Sequence, residues 1–181
     1  MHAGVTPLSL YASEPVCSNE NVQTLSLRKW VVRSEPELTA EAYALTETGG
    51  AERCGCEECF NFAAARHLVY TPEVLELLDM LGIDPLLEAE VRHDRAFAPG
   101  RHAYTVSFFV VGEIESGPVS CIARAGSAIR TARESAGCGI SIGFASGEGT
   151  PRPEAFLGLP AVRLELGVVA PWVSNAPEPI L

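Results

Sequence analysis

Three cysteines fall within six residues, in the segment Cys54-Gly55-Cys56-Glu57-Glu58-Cys59. Thiolates are soft ligands, and zinc accepts four of them, or a mixture with histidine, in a tetrahedron. A C-x-x-C pair at a helix start presents two sulfurs to one ion, where free backbone N–H groups and the helix dipole favour thiolate. Cys56 and Cys59 fit that pattern and Cys54 adds a third sulfur, so the candidate metal ligands are Cys54, Cys56 and Cys59, with zinc as the ion. A fourth ligand must come from elsewhere. His67 lies on the same helical face, but eleven residues beyond Cys56, about 16 Å along a helix axis. Cys121, Cys138, His93 and His102 reach the cluster only if the fold brings them. A plainer reading competes. Cys56, Cys59, Phe60 and Ala63 stand at i, i+3, i+4 and i+7, the spacing of a buried stripe, and free cysteine packs as a small hydrophobe. A redox role for Cys56 and Cys59 lacks the strand that leads into a thioredoxin-like motif.

Other motifs are weaker. Gly139-Ile140-Ser141-Ile142-Gly143 matches G-x-S-x-G, but no helix follows, so Ser141 is expected within a strand rather than at a nucleophile elbow. Gly137-Cys138-Gly139 lacks the third glycine of a dinucleotide fingerprint. Arg124, Arg130 and Arg133 form either an anion-binding edge or a solvated loop. Asn61 is expected to fix the local turn by hydrogen bonding, and Trp172 to cap the core. His67, His93 and His102 have no partner identifiable from sequence.

The elements that must position these residues follow from periodicity. Glu57 to His67 is rich in alanine and other helix formers. Thr71 and Pro72 make an N-cap and first-turn pair. Val74, Leu75, Leu77, Leu78 and Leu81 then share a face, and Gly82 ends the helix. Alternation predicts strands over 24–34, 41–47, 88–94, 103–114, 139–145 and 161–169, with short strands near 8–11 and 119–124. Gly49-Gly50 and Pro99-Gly100 read as turns. Strands before and after a helical pair, without βα alternation, predict an α+β fold. Its sheet is expected to be mostly antiparallel, with consecutive helices at about 56–67 and 72–82 packed on one face. Residues 1–181 are read as one domain, with 1–23 a loosely attached N-terminal arm.

Composition narrows the function classes. The chain has 181 residues, 47% of them apolar, and a net charge of −10. This is globular composition, and the acidic balance disfavours non-specific binding to nucleic acid or an anionic membrane. The first residues carry no positively charged start or apolar leader, and no run of apolar residues is long enough to span a bilayer. A cytoplasmic location is the default expectation, and there cysteines are thiols or metal ligands rather than disulfides.

Cys54-Gly55-Cys56, Cys59, Asn61 and Phe62, followed by Leu81-Gly82-Ile83-Asp84-Pro85, resemble an uncharacterised bacterial family. Its C-x-C-x-x-C-x-N-F motif leads into an L-G-I-D-P helix end. Tyr104 to Gly112 is similar to that family's aromatic strand, although Phe108 and Phe109 stand where tryptophan, tyrosine and histidine are expected. Leu164-Glu165 and Pro171-Trp172-Val173 resemble its ending. The resemblance implies one intact domain and no particular activity. Because no complete catalytic constellation is present, the leading expectation is a non-enzymatic binding or interaction domain, with a protein partner or a second copy of the chain as its occupant. The alternatives are a zinc-stabilised module and a thiol-dependent enzyme using Cys56 or Cys59.

Overall fold

The computed structural model describes residues 22–118, 132–147 and 151–179. The expected strands near 8–11 and 119–124, Cys17, Cys121, Arg124, Arg130 and all but the last two residues of the expected arm lie outside them.

Strand β4 (Arg101–Ser116) is the axis of the sheet. Its alternating aromatic and β-branched residues suit a central strand, and Tyr104 to Val111 are buried on both faces. Along one edge β4 pairs first with β3 (Glu90–Ala98) and then with β2 (Trp30–Ser34). Along the other it pairs from Arg101 to Val111 with β7 (Ala161–Pro171). Two partners on one edge account for its 16 residues. With β1 (Gln23–Leu27), β5 (Glu134–Gly137) and β6 (Ile140–Ser146), the described residues form a seven-stranded sheet, with order β1-β2-β4-β7-β6-β5 and β3 beside β4. Every pairing is antiparallel. With helices α1 (Pro36–Ala44), α2 (Gly50–Cys54), α3 (Glu57–Ala65) and α4 (Pro72–Met80), the fold is α+β as expected.

The helical pair 56–67 and 72–82 appears as α3, a 3-10 turn at Arg66–Leu68, and α4. Thr71 caps α4 by accepting the Val74 N–H. Gly82 follows its end at φ 71°, where a Cβ would strike the Pro36 carbonyl oxygen. Phe62 of α3 packs on Tyr104, and Tyr70 on Phe108. These contacts seat the helices on the β4 face that carries Val106 and Val110.

Three expectations are corrected. Residues 41–47 are not a strand, because Pro36 opens α1 and that helix runs through Ala44. There Tyr43 is buried, donating its hydroxyl to the Phe109 carbonyl while accepting the Phe109 N–H. Its alternation with alanines reflects one buried ring, not a pleat. Residues 24–34 are a hairpin rather than one strand, turning at Arg28-Lys29 with Arg28 at φ 56°. No glycine, asparagine or proline marks that turn. Gly49-Gly50 is no free turn either, since Gly49 caps α2. Among the described residues no helix is long and apolar enough to cross a membrane.

Candidate metal centre

The junction of α2 and α3 makes the cysteine geometry. Cys54 ends α2, Gly55 reverses the chain in the left-handed conformation at φ 72°, and Cys56 caps α3 with extended φ and ψ. A Cβ on Gly55 would meet nothing within 4 Å, so the requirement there is conformational rather than steric. Cys59 follows one turn into α3. The Sγ atoms of Cys54, Cys56 and Cys59 consequently lie within 4.8 Å of one another. All three cysteines are free thiols, from exposed Cys54 through half-buried Cys56 to buried Cys59.

Their protonation follows that gradient. Cys54 and Cys56 share an S···S hydrogen bond of 3.4 Å, which holds the Cys54 thiol below its ordinary value. Burial pushes Cys56 up, and Cys59 further still. Cys59 has the Val91 carbonyl on β3 as a hydrogen-bond acceptor at 3.7 Å. Glu58, in the first turn of α3, is held below the usual carboxylate range, chiefly by its own backbone N–H and further by a hydrogen bond with Cys56. Three thiolates this close repel each other, and a divalent cation among them removes that repulsion. Four ligands at about 2.3 Å from zinc stand about 3.8 Å apart along a tetrahedral edge, which the observed sulfur spacing accommodates.

The angle between α2 and α3 is held by a charge cluster that sequence reasoning missed. The Arg66 guanidinium, mostly buried at the end of α3, donates to both oxygens of fully buried Glu88 at 2.7 and 2.8 Å. The same side chain reaches Glu52 of α2 at 2.9 Å, and the Tyr70 hydroxyl donates to Glu88. Neither Arg66 nor Glu88 belongs to a sequence motif, so only their convergence in space reveals the cluster.

The scattered candidates separate clearly. His67 is exposed on the 3-10 turn and Cys138 is exposed between β5 and β6. Neither joins the sulfurs. His93 and His102, on β3 and β4, do come to the neighbourhood. The His93 ring lies 5.2 Å from that of Tyr104. Tyr104 in turn touches Phe62 of α3 and receives a hydrogen bond from Asn61. Unlike the sequence reading, the structure pairs both histidines. His93 Nε2 is 3.0 Å from His102 Nδ1, and His102 Nε2 is 3.1 Å from a Glu178 carboxylate oxygen. Trp172 covers His102 at 4.9 Å between ring centroids and donates its indole N–H to Ala176.

Asn61 does more than fix a local turn. It is fully buried, donates to the Pro171 carbonyl, and accepts the backbone N–H groups of Val173 and Ser174. Ser141 lies in β6 opposite Gly167, an ordinary strand position as expected. Arg133 donates to the Thr105 hydroxyl, which itself donates to Asp94, so it is hydrogen-bonded to the sheet rather than free in a solvated loop. No family model, curated protein or solved structure matches this chain.

Proposed function

We propose that this protein is a non-enzymatic binding domain stabilised by zinc, which Cys54, Cys56 and Cys59 hold at the junction of two helices. The observation that carries the reading is the mutual approach of three sulfurs within 4.8 Å. Core packing alone accounts for buried Cys59 but gives no reason for exposed Cys54 to turn its sulfur onto Cys56. The N-terminus of α3 supports the same reading, because the Cys59 backbone N–H bonds the Cys56 sulfur there and the helix dipole favours its anionic form. A sulfur-rich tetrahedral set selects zinc over magnesium or calcium, which take oxygen ligands. A reducing compartment such as the cytoplasm keeps the thiols available.

Metal analysis of the full chain, purified from metal-replete cells, tests this. One zinc per chain is expected, and its removal by a chelator should lower the melting temperature. Free zinc at a hundred times the dissociation constant adds about 2.7 kcal/mol of stability. Cys54→Ser, at an exposed position, should lose the metal without damage to the core. A wild-type chain that binds no zinc overturns the reading.

A further inference from the structure

Three sulfurs leave one corner of a tetrahedron open, and the strand beneath α3 carries a group suited to it. Cys59 lies against the Val91 carbonyl on β3. His93 is two residues further along a regular stretch of that strand, where Val91 opposes Val106 and His93 opposes Tyr104. Its side chain therefore leaves the same face of the strand as that of Val91. There it packs on Tyr104, which in turn packs on Phe62 and accepts a hydrogen bond from Asn61, both on the helix that carries Cys59.

The hydrogen-bond chain behind His93 sets its tautomer when both imidazoles are neutral. Ionised Glu178 can only accept, so His102 presents its Nε2–H to it. When His102 is neutral, its Nδ1 lone pair accepts the Nε2–H of His93. His93 is left with an unprotonated Nδ1, and among the described residues no hydrogen bond reaches that nitrogen. Metal-bound histidines commonly donate the other ring N–H to an acceptor that fixes the ring in this way. Here the acceptor is His102, fully buried and covered by Trp172.

We propose that His93, through Nδ1, is the fourth ligand of the metal held by Cys54, Cys56 and Cys59, with His102 and Glu178 as its orienting support. The proposal rests on the metal-binding reading above and completes it. Three cysteines and one histidine make a closed site, as in structural rather than catalytic zinc centres. The His93 nitrogens do not belong to the group of atoms within 4.8 Å, so coordination draws the imidazole towards the sulfurs while its Nε2–H keeps His102. The metal then ties the α2–α3 junction to β3, to β4 and, through Glu178, to the C-terminal segment.

The test uses the full chain, zinc and cobalt(II), and histidine labelled with nitrogen-15. Zinc should shift the His93 Nδ1 resonance to a metal-bound position and leave Nε2 protonated. His93→Gln should weaken zinc binding at least tenfold and alter the cobalt(II) d–d spectrum. Glu178→Gln should weaken binding about 10–100-fold while preserving that spectrum, because the ligands are unchanged. If wild type binds zinc but His93→Gln has unaltered affinity and cobalt spectrum, the fourth ligand lies elsewhere. That overturns this inference and leaves the three-cysteine reading standing. Should the variant fail to fold, the labelled wild-type spectrum decides alone, and an unmoved His93 resonance overturns the inference. If wild type binds no metal, both readings fall together.

Discussion

Asn61 and Val173 stand 112 positions apart and are joined by a 2.6 Å hydrogen bond, the Val173 N–H donating to the Asn61 side-chain oxygen. The same amide side chain holds Ser174 and Pro171. One residue of α3 thereby closes the C-terminal segment over the sheet, and with it Trp172 and Glu178 against His102. Cys59 and the residue that anchors the histidine chain thus stand two positions apart on one helix.

Asn61→Ala should therefore cost about 2–3 kcal/mol, because it leaves three part-buried backbone groups without their hydrogen-bond partner. Urea unfolding measures the loss. Hydrogen exchange should show faster exchange of the Val173 and Ser174 amides, with those of β4 unchanged in the native state. A variant within about 0.5 kcal/mol of wild type would mean that the segment holds itself.

Arg66→Met should cost about 3–5 kcal/mol at neutral pH, since it leaves Glu88 buried and unpaired. The pH dependence identifies the cause. Burial already outweighs the Arg66 cation and holds the Glu88 carboxyl above the usual carboxylate range. The folded chain binds that proton more tightly than the unfolded chain does. Its contribution is therefore full below the ordinary carboxylate value and is lost as pH rises through the raised one. Removing the cation raises the folded value further, so the variant should recover part of its stability on acidification. Equal destabilisation in neutral and acidic buffer would mean that lost packing, not an orphaned carboxylate, is the cost.

Gly55 and Gly82 share a left-handed conformation, at φ 72° and 71°, but differ in what surrounds them. Gly55→Ala meets open space and should cost about 1–2 kcal/mol, the conformational penalty alone. Gly82→Ala adds a collision with the Pro36 carbonyl and should be clearly the worse of the two. Thermal or urea unfolding of the two variants compares them. Equal losses would show that the α1–α4 contact yields readily.

How much was readable from sequence depends on the range of the interaction. Strands β4, β6 and β7 are legible because β-branched and aromatic residues recur along each, as strands buried on both faces require. Helix α4 is marked at both ends, by Thr71-Pro72 and by Gly82, because a helix terminus must satisfy its orphan groups locally. The cysteine spacing also belongs to one short stretch, so the sulfur cluster was nameable in advance. Helix α1 was misread as strand at 41–47 because Tyr43 is buried for a contact 66 residues away, and such a contact leaves no local period.

The sequence alone determined an acidic α+β chain with a thiol-rich helix start, since composition, periodicity and capping are local properties. Tertiary structure decided what surrounds those thiols. It brought His93 beside His102 through the β3–β4 register, Glu178 to His102 across 76 positions, and Arg66 onto Glu88 across 22. Arg66, Glu88 and His102 gain their partners only when chain closure buries them. The pairing is enforced by the cost of burying an unpaired polar or charged group, a cost that exists only in the folded state.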